Sequence, residues 1–167
     1  GLKWIAQQVN SGADYFAGKT VVLTADIDLK GAEWTPIGSA YKDHGFMGNF
    51  DGNGATIYGM YATSTNNAAL FCTVDAGATI KNVAVKNAYL TSSASNYQVG
   101  AIAAVASNTN YGAKNKGVFA ITGCTVANCY MRNSATGHDR TGVLFGACSE
   151  DAIYVENCLV YGNDAYY

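Results

Sequence analysis

Four six-residue stretches share a pattern that few folds tolerate: IYGMYA at 57–62, IKNVAV at 80–85, ITGCTV at 121–126 and VENCLV at 155–160. Each reads Ile or Val, any residue, Gly or Asn, a buried-type residue, any residue, then Val or Ala. Three columns follow: Ile57, Ile80, Ile121 and Val155; Met60, Val83, Cys124 and Cys158; Ala62, Val85, Val126 and Val160. The first two columns are out of phase for a strand, whose side chains alternate. Gly59, Asn82, Gly123 and Asn157 stand where the phase breaks, and Gly and Asn enter the left-handed backbone region at least cost. Each stretch is therefore read as bending there, which restores the inward face.

A second set of segments precedes the last three stretches: AALFCTV at 68–74, VGAIAAV at 99–105 and TGVLFGAC at 141–148. Leu70, Ile102 and Leu144 align in them, as do Phe71, Ala103 and Phe145. Each unit reads as two short strands joined at a corner. The hexapeptides are unevenly spaced, which a stack of helical hairpins does not accept, and Gly or Asn in mid-helix would weaken every unit. Coiled parallel strands accept it, because extra residues loop out at corners while columns stay about 4.8 Å apart. The expected fold is all-β, a right-handed parallel β-helix, with insertions near 91–98, 107–118 and 133–140.

The N-terminal segment has other periods. In LKWIAQQVNSG at 2–12, Leu2, Ile5, Ala6 and Val9 recur at helical spacing before an Asn-Ser-Gly stop, which predicts a short α-helix. In VVLTADIDL at 21–29, Leu23, Ala25, Ile27 and Leu29 alternate with Thr24, Asp26 and Asp28, which predicts one half-buried strand. The expectation is one domain over 1–167, with a cap helix within 1–12 and coils over 20–163, excised from a larger protein.

Composition agrees. Apolar residues make up 49% and charged ones 13%, and nineteen glycines, twelve tyrosines and one proline suit a turn-rich β protein. Ten basic against twelve acidic residues give a net charge of −2 with no basic stripe, which excludes electrostatic attraction to nucleic acid or anionic membrane. No apolar run is long enough for a transmembrane segment. The five cysteines form no CxxC pair, and no histidine completes a zinc set. Cys124 and Cys158 share a column, Cys148 aligns with Val74, Cys129 with Ala88, and Cys72 with Ala104 and Gly146, so they read as packing residues. Stacked Cys124 and Cys158 meet the spacing a disulfide needs, but the reduced pair is favoured.

GKTVVLTADIDLKGAEWTPIG at 18–38, FMGNFDGNGATI at 46–57, ALFC at 69–72 and ATIKNVAV at 78–85 together resemble the N-terminal part of GLUG-type β-helix modules. Such modules occur in large bacterial surface proteins, especially of gut Bacteroidetes, and near the N-terminus of some immunoglobulin A peptidases. The resemblance spans nearly the whole chain. The family's Gly-Leu-Val/Phe-Gly signature is altered here to VGAIAA at 99–104 and TGVLFG at 141–146. It implies a short helix over the first coil, an extracellular or cell-surface location, and no assigned activity.

Four constellations are candidates for chemistry. Asp26 and Asp28, on one outward face, have the spacing of paired glycosidase acids, but the aligned positions of later coils supply no partner acids, and solvated edge charges explain them. DGNG at 51–54 places Asp51 and Asn53 as an EF-hand loop begins, yet Ala55 and Ile57 break the ligand set, so Asp51 reads as a turn acceptor and no metal is expected. His44 and His138, the latter beside Asp139, lie in polar loops without a serine elbow, and surface histidines account for them. Tyr41 with Asp43, Tyr97, and Asn108, Tyr111 and Lys114 lie in three insertions where aromatic faces adjoin amides and charges, as sugar-binding and protein-binding surfaces do.

The sequence thus reads as a non-catalytic module for display or adhesion, binding glycan or host protein through its insertions, without cofactor. The last coil carries no cover, so self-association or a further segment is expected there. The rival readings are a polysaccharide lyase or glycoside hydrolase acting through Asp26 and Asp28, and a plain spacer.

Overall fold

The computed structural model describes residues 1–39, 45–64, 66–75, 77–106, 118–136, 140–148 and 152–166. The helix α1 (Leu2–Ser11) buries Leu2, Ile5, Ala6 and Val9, the apolar stripe of its sequence. Gly12 ends it at φ 78, and the N–H groups of Gly12 and Ala13 donate to Val9 and Gln8 carbonyls. This is the left-handed glycine stop that NSG announces.

Among the described residues nineteen short strands follow, all paired in parallel, and a full turn of the chain passes through five sheets. The first sheet stacks β1 (Thr20–Val22), β3 (Asn49–Asp51), β7 (Thr79–Lys81), β12 (Val118–Thr122) and β17 (Ala152–Glu156). The second stacks β2 (Ile27–Asp28), β4 (Thr56–Tyr58), β8 (Ala84–Lys86), β13 (Thr125–Ala127) and β18 (Leu159–Tyr161). The third holds β5 (Tyr61–Ser64), β9 (Tyr89–Ser92), β14 (Tyr130–Asn133) and β19 (Asp164–Tyr166). The fourth pairs β10 (Gln98–Gly100) with β15 (Arg140–Gly142), and the fifth stacks β6 (Phe71–Val74), β11 (Ala103–Ala106) and β16 (Phe145–Cys148). The architecture is a parallel β-helix. Strands this short arise because the chain must turn every few residues to keep its apolar side chains pointing inward.

Register corrects the expected columns. Val21, Phe50, Ile80, Ile121 and Val155 form one column, and Ile27, Ile57, Val85, Val126 and Val160 the next. Ile57 therefore stacks on Val85, not on Ile80, and the stretch at 57–62 lies one corner further along than the other three. The reason is that each coil has two left-handed corners with similar letters: Asn82 and Asn87, Gly123 and Asn128, Asn157 and Gly162, all with φ of 53 to 63. The second coil also carries a longer first corner. Asp51 pairs with Lys81 and Thr56 with Ala84, so residues 52–55 span what 82–83 span on the next coil.

The predicted strand at 21–29 is likewise two strands, β1 and β2, divided by a bend that leaves Ala25 exposed rather than inward. The fifth-sheet alignment holds as read: Phe71, Ala103 and Phe145 are in register, and Cys148 shares a position with Val74 through Ala106.

The core runs along the axis. It begins under the helix with Phe46, Phe50 and Phe71 in mutual ring contact and Phe16 against Phe46, and continues through the fully buried Ile80, Leu90, Ile102, Ile121 and Met131. In the last coil the same inward columns open to solvent: Val155 is 44% and Val160 47% exposed, against 0% for Ile121 and Val126 beneath them.

Candidate functional site

Of the sequence-predicted binding residues, Tyr41, Asp43, Asn108, Tyr111 and Lys114 lie outside the described residues, as do His44, His138 and Asp139. Their flanks are described. Ile37 and Phe46, on either side of 40–44, bridge to Phe71 and Val74, and Ala106, which precedes 107–117, pairs with the same Val74. The described flanks of these two segments therefore belong to the fifth sheet. Tyr97 belongs elsewhere, between β9 and β10, half-buried, with its carbonyl accepting a 2.7 Å bond from Asn133 Nδ2.

The carboxylates serve the backbone. Asp26 Oδ1 accepts the Thr56 N–H of the next coil at 2.8 Å, and Asp28 Oδ1 accepts the Lys30 N–H at 2.8 Å. Asp26 lies in the bend and Asp28 on β2, so they are not the paired acids of one strand. Asp51 Oδ1 accepts the Asn53 N–H at 2.9 Å, as expected of a turn, and Oδ2 pairs with Lys81 Nζ at 3.2 Å. The Asn53 N–H and then Lys81 and Asn82 hold the Asp51 carboxyl below its ordinary pKa.

A depressed folded-state pKa contributes stability that is present above the unfolded value and lost as pH falls through the folded one. Asp51→Asn, which keeps an oxygen acceptor for Asn53 but removes the charge facing Lys81, should lower stability slightly at neutral pH, leave it unchanged in acid, and so flatten the decline between the two. Urea midpoints taken across that range would show it. Among the described residues, no three His, Cys, Asp or Glu side chains converge as metal ligands.

The cysteines pack. Cys124 and Cys129 are buried and free, each thiol donating to the carbonyl two residues back and to one on the coil beneath. Burial pushes the Cys124 thiol up to about 11, which leaves almost no reactive thiolate at neutral pH. Cys158 repeats the arrangement in the open coil, half-buried. A maleimide reagent should label Cys158 well before Cys124 or Cys129 in the folded protein, read by peptide mass; equal labelling would contradict the corner packing.

The most organised exposed feature is one the sequence reading missed. On the third sheet, Tyr61 and Tyr89 stack with ring centroids 5.5 Å apart and planes 14° from parallel, and Tyr89 and Tyr130 at 4.9 Å and 8°. Tyr166 leans on Tyr130 at 5.8 Å. Thr63, Thr91 and Arg132 form the neighbouring outward column. Each ladder tyrosine stands two residues after a left-handed corner, in GMY at 59–61, NAY at 87–89 and NCY at 128–130. That triplet was the available signal, hidden because the second corner of each coil had been merged with the first. At the N-terminal end of this face, α1 and the first coil enclose a cleft of about 270 Å³ lined by Lys3, Ala6, Gln7, Asn10, Glu33, Trp34 and Thr35.

Fold and surface together define a parallel β-helix module with one flat, hydroxyl-bearing face and a helix over its first coil. It is similar to the crystal structure of a "putative immunoglobulin A1 protease" from Bacteroides ovatus, with a TM-score of 0.61 and 19% identity over 94% of this chain. The chain spans about half (54%) of that structure's length. No protein-family model matches the sequence, and no curated protein does. At that identity the likeness is one of fold. No helix among the described residues is long and apolar enough to cross a membrane.

Proposed function

We propose that the chain is a non-catalytic module of the GLUG type, forming one β-helical unit over 1–167 and displayed outside a bacterial cell to adhere to glycan or host protein. The observation that supports this reading is the tyrosine ladder: Tyr61 and Tyr89 are 37% and 43% exposed, and no described residue bonds the hydroxyls of Tyr61, Tyr89 or Tyr130. A row of ordered, uncommitted donors on a rigid sheet is what a recognition surface requires. Tyr41, Asp43, Asn108, Tyr111 and Lys114 on the insertions, with Tyr97, would add contacts around it. The surface-protein resemblance and the fold shared with the Bacteroides structure favour an extracellular setting.

The test is binding of the whole chain to glycan arrays and to immobilised host matrix proteins. Saturable binding is expected, and blank arrays of both kinds would reduce the module to a spacer. The lyase or hydrolase alternative would have to use Asp26 and Asp28, whose oxygens already accept backbone bonds. Polysaccharide turnover that disappears in Asp26→Asn would reinstate it. Self-association through the open coil fits the exposure of Tyr154, Val155, Leu159 and Val160. Dimer formation on raising the concentration, abolished by Val160→Lys, is the expected result in sedimentation.

A further inference from the structure

We infer that the third-sheet face binds an extended uncharged polysaccharide laid along the solenoid axis, with its end sugar in the cleft beneath α1. The inference rests on the adhesion reading and supplies its ligand class and its site.

Three features select the occupant. The first is the orientation of the rings. Tyr61, Tyr89 and Tyr130 cover one another's faces, so the ladder presents ring edges and hydroxyls rather than open aromatic planes. A ligand meets it by hydrogen bonding, not by stacking, and Thr63 and Thr91 add a second row of hydroxyls beside the first. Such a face suits a chain that carries hydroxyls along its whole length.

The second feature is charge. Among the described residues of the cleft and the third sheet, Lys3 and Arg132 carry one sign and Glu33 and Asp164 the other, and the chain as a whole carries −2. Their balance provides no field for a polyanion, which excludes acidic polysaccharide and nucleic acid as the preferred occupant. The third is continuity. Glu33 bridges to Tyr61, so the ladder column Tyr130, Tyr89, Tyr61 runs into a wall of the cleft without a step. The ring spacings of 5.5 and 4.9 Å are close to the span of one sugar in an extended β-1,4-linked chain, which sets one sugar against each coil. The cleft has a floor of Ala6 and Trp34 and a polar rim of Lys3, Gln7 and Glu33, with space for a single terminal sugar.

The experiment is calorimetric titration of the whole chain with uncharged β-1,4-linked gluco- and xylo-hexaose, with polygalacturonate for comparison. Saturable hexaose binding that does not weaken with added salt is expected. Tyr89→Phe combined with Thr91→Val preserves the ring stack and the side-chain shapes while removing two hydroxyls, and should weaken binding about tenfold or more with an unchanged melting temperature. Glu33→Gln, which removes the charge of the cleft wall while keeping an oxygen to accept the Thr63 N–H, should weaken it severalfold. No hexaose binding, a preference for polygalacturonate, or equal binding by the double variant would overturn the inference. In the last case the adhesion reading would stand and the contact would move to the insertions, whereas silence toward every glycan and matrix protein would remove both.

Discussion

Phe71→Ala should destabilise the fold by about 3–5 kcal/mol, the range for emptying a buried aromatic site. Phe71 is fully buried and meets Phe46 at 5.1 Å and Phe50 at 5.3 Å, the latter edge to face. It also pairs with Ile37 below and with Ala103 above, so it joins three successive coils. Phe50 is held in its column by β1 on one side and β7 on the other, and Phe46 is tied by its bridge to Val74, which limits their collapse into the space. For a chain of this size the loss corresponds to a fall in melting temperature of roughly 10 °C. In a solenoid each coil contacts only adjacent coils, so the damage should be local. Amide exchange should accelerate most in β3, β6 and α1 and least in β13 and β14. Uniform acceleration would mean that the whole stack unfolds as one cooperative unit.

How much of this was legible follows from where the letters are unambiguous. The parallel β-helix could be read because Gly or Asn recurs beside apolar columns, and only coiled strands accommodate that repeat at uneven spacing. The cap helix could be read because four apolar residues at helical spacing end in a glycine free to adopt φ 78. Register at Ile57 could not, since both corners of a coil use the same residues for the same steric reason and the extra length at 52–55 shifts one against the other. The bend at Ala25 was hidden because alternation of letters continues through it. The candidate site suffered most. Tyrosines scattered at 61, 89 and 130 become a ladder only after the register is known, whereas those in the insertions attract attention by being surrounded by polar residues. A recognition surface on a repeat protein is assembled from residues a whole coil apart, so it becomes visible in a sequence only after the coil length has been assigned correctly.

The corrected register at 51–57 makes its own prediction, in two neighbouring glycines that should behave oppositely to what backbone strain alone suggests. Gly54 has φ +79, a region other residues enter at a cost, but an added Cβ there would meet nothing within 4 Å. Gly54→Ala should therefore cost about 1 kcal/mol, the steric penalty of a left-handed residue and no more. Gly52 is not among the positive-φ glycines, so Ala carries no left-handed penalty there; it lacks space instead. A Cβ would run into the Asn82 carbonyl oxygen and into Val83, including its Cα, on the coil above. Backbone cannot rotate aside as a side chain can, and the Gly52 N–H is bonded to the Lys81 carbonyl at 2.8 Å, which holds the two coils at this distance. Gly52→Ala should cost about 3 kcal/mol or more by forcing the second and third coils apart. Urea midpoints for the two variants would decide the matter. If Gly54→Ala proved the more damaging, the corner at 52–55 would not lie against Asn82 and Val83, and the two-residue offset that places Ile57 over Val85 would be wrong.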